Sequence, residues 1–114
     1  MNNVFLIGNV GNDPEIKKGN EWTIAKFSLA TTEKYKTKQG EVKEDTQWHR
    51  IDVIGGTAKV VEKYVKKGDK LCVIGKITYR EHGGNYYTTI KVDKIELLGS
   101  SQNKKIEQGT DIPF

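Results

Sequence analysis

"TAKVVEKYVKKG", residues 57–68, is the stretch on which the fold turns, because it alone reads as a helix. Ala58, Val61 and Val65 recur at helical spacing, with Val60 and Tyr64 beside them. Thr57 can serve as N-cap, Lys66 and Lys67 fall in the last turn, and Gly68 suits the position just past the end. Everything around this segment reads as short strands. "NVFLIGNVG" (3–11), "WTIAKFSLATT" (22–32) and "TQWHRIDVI" (46–54) precede it, and "KLCVIGKITYRE" (70–81) and "YYTTIKVDKIELL" (86–98) follow. In the second run Ala25, Phe27 and Leu29 share one face and Lys26 and Ser28 the other. "HGGN" (82–85) supplies a tight hairpin turn, and Gly40 in "KTKQGEVKED" (36–45) a second.

Three strands, one helix and two strands are the layout of an all-β OB-fold. It is a five-stranded Greek-key barrel with one helix between strands 3 and 4, whose strand face and loops commonly bind oligonucleotides. Gly8 and Gly75, inside strand patterns, are the expected bends that let so small a barrel close. The domain is expected over residues 1–98. From residue 99 "GSSQNKKIEQGT" is polar and aperiodic, which predicts a flexible, disordered tail ending on "DIPF".

The chain of 114 residues is enough for one core and too short for two. It carries a net charge of +4. Lys104, Lys105, Glu107 and Asp111 cancel, so the excess lies in residues 1–98, with 17 basic against 13 acidic residues. That surplus is compatible with a polyanion without requiring one. The single cysteine, Cys72, excludes an internal disulfide and a cysteine-rich zinc site, and its strand setting predicts a small buried hydrophobe. No apolar run reaches membrane-spanning length, and the N-terminus lacks a signal-peptide layout. A cytoplasmic chain without membrane association is expected.

In "QWHRIDVI" (47–54), His49, Ile51 and Val53 read as the buried face, which turns Trp48, Arg50, Asp52 and Ile54 outward. An outward tryptophan among charges suits a flat partner with a charged backbone. Unpaired bases stack on aromatic rings at about 1–3 kcal/mol per base while lysine and arginine follow the phosphates. Parity alone leaves a second reading equally open, in which Trp48 covers a barrel edge or a neighbouring subunit. The surroundings favour the first. Lys34, Lys36, Lys38 and Lys43 surround Tyr35 in one hairpin, diluted by Glu33, Glu41 and Glu44. Lys76 and Arg80 share a strand face, and His82, Tyr86 and Tyr87 flank its turn. Trp22 and Tyr79 could also stack on bases, but packing in the core is the favoured expectation for both.

These stretches together resemble the bacterial and phage single-stranded DNA-binding proteins. The resemblance runs through "NVFLIGNVGNDPEI", "FSLATTEKY", "WHRIDVIG", "VEKYVKKGDKLCVIGKI" and "YYTTIKVDKIELLG" and ends at "DIPF". It implies a homotetramer of OB-folds that wraps single-stranded DNA without sequence preference, in the cytoplasm and nucleoid, or in a host cytoplasm for a phage protein. By position, Trp48 corresponds to a base-stacking tryptophan. Tyr35 and His82 stand where relatives often have tryptophan, and Ile54 where they often have phenylalanine. His49 corresponds to a subunit-contact position. Asp111, Ile112, Pro113 and Phe114 are implied as the tip that docks onto replication, recombination and repair proteins. Relatives usually carry several acidic residues before that tip, whereas here only Asp111 adjoins it and Lys104 and Lys105 lie upstream.

The site residues expected for single-stranded DNA are therefore Trp48, Tyr35, Arg50, Ile54, Lys34, Lys36, Lys38, Arg80 and His82. An OB-fold adaptor or RNA-binding module is the alternative, slightly favoured by the thinned aromatics but opposed by Trp48 and the "DIPF" end. An enzyme is not expected, since no phosphate loop, metal-ligand spacing or nucleophile–base pair is present in the sequence. Neither a cofactor nor a metal is called for.

Overall fold

The computed structural model describes residues 1–99 as a single β-barrel with one helix. In chain order the elements are β1 (Val4–Val10), β2 (Glu15–Lys18), β3 (Thr23–Lys36), β4 (Val42–Ile54), α1 (Gly56–Tyr64), β5 (Lys70–His82) and β6 (Asn85–Gly99). The sheet order is β1-β5-β6-β4-β3-β2, and β1 also pairs with β3 through Asn9↔Ala30 and Val10↔Leu29. That last pairing closes a five-stranded barrel of β1, β3, β4, β6 and β5. The expected OB-fold is present, with its helix after the third barrel strand. The short strand β2 is an addition, hung on the outer edge of β3 from Glu15↔Lys26 to Lys18↔Thr23. All pairings are antiparallel except β4 with β6, which run parallel at Ile51↔Ile90, Asp52↔Lys91 and Val53↔Val92.

The alternation read from the sequence fills the interior. Ala25, Phe27 and Leu29 of β3, Ile51 and Val53 of β4, Leu71 and Val73 of β5, and Ile90 and Val92 of β6 are all buried in one cluster. Two glycines let the walls approach. A Cβ at Gly8 would fall on the Ala30 carbonyl, and one at Gly75 on the Lys91 carbonyl, beside the β5–β6 register shift at Ile74/Gly75. Both hairpins form as expected. Gly83 (φ 61°) and Gly84 (φ 83°) make the two-residue turn between β5 and β6. Between β3 and β4 the Thr37 N–H donates to Glu41 O at 2.8 Å and Gly40 N–H to Thr37 O at 3.0 Å.

A helix of nine residues has little stability of its own. It is held because Ala58 and Val61, with Val65 just beyond, complete the core against β3, β4 and β6. Its ends differ from the sequence reading. Gly55, not Thr57, occupies the N-cap, with φ 83° and no side-chain cap. The reversal from β4 into α1 needs a positive φ there, while Gly55 N–H donates to Thr23 O at 2.9 Å. At the other end Val65 is already extended and buried, so Lys66 and Lys67 lie past the helix and Lys63 is the cation of its last turn. Buried Asp69 sets this exit: its Oδ2 accepts from Lys66 N–H at 2.8 Å and its backbone O from Val10 N–H at 2.8 Å.

Three further expectations are corrected. Trp22 is 53% exposed, because it precedes the inward Thr23 and folds over Gly19 in its own turn. Tyr79 has the inward parity of Ile77 but lies where the β5–β6 hairpin has run past the core, and it is 68% exposed. Cys72 is half-buried on the outer side, since Leu71 and Val73 take the core positions on either side of it. Among the described residues no helix is long and apolar enough to cross a membrane. The expected tail lies outside the described residues from residue 100 onward, and with it Asp111, Ile112, Pro113 and Phe114.

Gly8→Ala should therefore destabilise the barrel by about 1–3 kcal/mol, since the colliding carbonyl is backbone and cannot rotate away. Urea denaturation measures this, and an unchanged midpoint would show that β1 has room to shift.

Candidate nucleic-acid interface

Strand β4 presents its outward row across from β3: Trp48 opposite Ala30, Arg50 opposite Ser28, Asp52 opposite Lys26, and Ile54 opposite Ile24. Trp48 is 64% exposed although it lies at the middle of the sheet. Its six-membered ring rests on Gly11, where a Cβ would collide with Cζ3 and lie 2.6 Å from Ser28 Oγ. That floor is fixed. Gly11 N–H donates to Ser28 O at 2.8 Å, and Asn12 Oδ1 accepts from the Ser28 N–H at 2.8 Å and its hydroxyl at 2.7 Å. Asp13 Oδ1 accepts from Lys67 N–H at 2.9 Å, tying the same loop to the turn before β5. The Cζ3–Cε3 side of the indole thus abuts Gly11 and Ser28, while most of the side chain is open to solvent.

Beside Trp48, the Arg50 guanidinium lies 4.8 Å from the centre of the Tyr87 ring, a cation–π contact between β4 and β6. Tyr87 faces Arg80 across the β5–β6 pair. Arg50, Arg80, Lys26, Asp52 and Glu15 line an open cleft of about 350 Å³ over this face. Arg80 and His82 have the same parity, His82 standing at the hairpin tip opposite Asn85. Cations and flat rings therefore alternate over a surface several strands wide.

The expected residues divide into three groups. Trp48, Arg50, Ile54 and Arg80 share the outer face of the barrel. Lys34 and Lys36 continue the parity of Trp48 up the β3–β4 hairpin, and Lys34 Nζ lies 3.9 Å from Glu44 Oε1. Tyr35 pairs with Lys43 in the alternate register, on the opposite pleat face of that hairpin, and is 51% exposed. Lys38 is in the hairpin turn. His49 has inward parity and its Nε2 lies 2.8 Å from Thr31 Oγ1, a structural contact. The sequence reading did not single out Gly11, Asn12 or the Arg50–Tyr87 contact. Alternation counted back from Ile90 would have turned Tyr87 outward; the Gly11 floor left no periodic signal. Among the described residues no group of three or more His, Cys, Asp or Glu could hold a metal ion.

An OB-fold with an exposed aromatic and cations on its sheet face defines a class of oligonucleotide-binding barrels. Residues 1–98 match the single-strand binding protein family, and the chain belongs to it. It is 38% identical over 105 residues to the single-stranded DNA-binding protein of Xylella fastidiosa (strain Temecula1), covering 87% of this chain and 64% of that protein. It is 43% identical over 106 residues to the protein of the same name from Bacteroides thetaiotaomicron, covering 86% and 66%. The chain spans just under two thirds of the length of these relatives. Among solved structures, the Plasmodium falciparum SSB complex with ssDNA superimposes with a TM-score of 0.74 at 33% identity, covering 89% of this chain and 96% of that one. The fold also matches a deletion mutant of the Thermus aquaticus single-stranded DNA binding protein, with a TM-score of 0.76 at 23% identity, covering 90% and 52%.

Gly11→Ala should lift the indole off its floor. In a Trp22→Phe background, acrylamide quenching of Trp48 is expected to rise while the melting temperature stays within a few degrees. Unaltered quenching would show that Gly11 does not support the ring.

Proposed function

We propose that this chain binds and protects single-stranded DNA without sequence specificity, by base stacking and phosphate contacts, during replication, recombination and repair. One observation carries the reading: Trp48 lies open on the sheet face, backed by Gly11, with Arg50 and Arg80 beside it. A ring held in place with most of its surface exposed accepts any base, since every base has a π-face, and this gives affinity without a sequence code. The cations neutralise phosphates and release counterions. Tyr35, Lys34, Lys36 and Lys38 on the β3–β4 hairpin and His82 on the β5–β6 tip would extend the path, with Ile54 as an apolar contact at the barrel end. Membership of the single-strand binding protein family and the likeness to the Plasmodium falciparum complex support the same reading. The chain acts by binding alone, with no cofactor.

The homotetramer is part of the proposal. An exposed apolar strip on β1, Phe5 and Ile7 with Ile74 and Cys72 of β5 alongside, is the kind of surface that a second copy would cover. Partner recruitment through Asp111, Ile112, Pro113 and Phe114 is proposed from the sequence of that tip, and action in the cytoplasm from the likeness to bacterial single-stranded DNA-binding proteins.

Trp48 emission should fall when oligo-dT is added, and affinity should drop as salt rises. Trp48→Ala is expected to weaken binding about 5- to 150-fold, the equivalent of one lost stack of about 1–3 kcal/mol, with the oligomer intact by native mass measurement. Undiminished dT binding by this variant sinks the stacking role. Deleting Ile112–Phe114 should leave dT affinity unchanged and abolish retention of replication proteins; retention without the tip overturns the docking role.

A further inference from the structure

Five strands each place one charged residue on a single line across the outer face. Glu15 of β2 is in register with Lys26 of β3, Lys26 with Asp52 of β4, Asp52 with Lys91 of β6, and Lys91 with Lys76 of β5. Residues in register on neighbouring strands point to the same side of a sheet. The flanking positions Ala25, Val53 and Val92 are core, so this line faces outward. Its signs run negative, positive, negative, positive, positive. Glu15, Lys26 and Asp52 also line the cleft that Arg50 and Arg80 share. A surface built only to attract a polyanion has no use for a carboxylate at its centre, yet Asp52 stands half-buried between two lysines.

We propose that Asp52 is a built-in competitor for phosphate. It stands in cross-strand register with Lys26 and Lys91, where its charge offsets theirs, and a nucleic-acid phosphate competes with it for them. The consequence is a weak crossing in the middle of the platform, where a bound strand detaches readily while Trp48 and Arg50 hold on one side of the line. The proposal rests on reading this face as the single-stranded DNA surface, and it assigns affinity tuning to a residue that touches no base.

The test is oligo-dT titration of the full chain, read by tryptophan fluorescence over a range of salt concentrations. Asp52→Asn keeps the size and removes the charge, and Asp52→Ser serves as a second variant. Both should bind about three- to tenfold tighter at low salt, from removing a negative charge that stands between two lysines in register. Their salt slope should steepen by about 0.7–1.4, the value for one or two more neutralised phosphates on a single strand. Lys26→Gln and Lys91→Gln should each weaken binding more in the Asp52→Asn background than alone, a coupling that a double-mutant cycle isolates. Glu62→Gln removes the same charge from α1, where it pairs with Lys18 at 2.9 Å, and should leave the slope unchanged. An unchanged slope in both Asp52 variants, additive lysine effects, or an equal gain from Glu62→Gln would overturn the proposal. Failure of the wild-type chain to bind oligo-dT at all would overturn the reading of the face itself.

Discussion

A strand in a small closed barrel has one side for the core and one for solvent, and that constraint organises this molecule. Ile51 and Val53 must point inward to meet Leu29, Leu71 and Val73. Once they do, the residues between and beside them have nowhere to go but out. Trp48, Arg50, Asp52 and Ile54 are therefore displayed by the same pairing that builds the interior. Core and candidate interface are two sides of one strand, so a register slip of one residue in β4 would bury Arg50 and expose Ile51.

The loop between β1 and β2 converts this display into a defined surface. Strand alternation decides only that the indole is outside; it does not decide how the ring lies. Asn12 does so by occupying the Ser28 N–H and hydroxyl, which fixes Gly11 beneath the ring. The same loop reaches the turn before β5 through Asp13 and Lys67, and buried Asp69 joins that turn to the end of β1. A short polar network thus couples the platform to the helix exit, and hydrogen bonds rather than apolar area set its geometry.

Much of the fold could be read from periodicity. "TIAKFSLA" and "RIDVI" alternate cleanly because both cross the core, and their inward and outward assignments match the burial found. The paired glycines at 83 and 84 and Gly40 marked both hairpin turns because each needs a positive φ. Failures arose where alternation outlasts the core. Tyr79 keeps the parity of buried residues, but nothing faces it once the hairpin leaves the barrel. "EIKK" is four residues long with one apolar side chain, too little for a strand signal, and it forms β2 only because β3 offers an edge. The helix ends were misplaced because tertiary demands, the turn at Gly55 and the burial of Val65, outweighed local capping preferences. In the candidate site, the outward placement of Trp48, Arg50, Ile54 and Arg80 followed from parity, whereas the Arg50–Tyr87 contact depends on the parallel β4–β6 seam, which brings together residues far apart in sequence.

The pairing of β1 with β5 joins Val4 to Gly75 and Asn9 to Lys70, with β2, β3, β4 and α1 all lying between them in sequence. A chain emerging from its N-terminus during synthesis therefore carries β1 without its main partner until β5 has been made. Phe5, Leu6 and Ile7 remain unpaired through that interval, while the β3–β4 hairpin, whose two strands are neighbours in sequence, already has both halves. Vectorial synthesis thus leaves the barrel open until β5 and, last of all, β6, which joins β5 to β4, have been made.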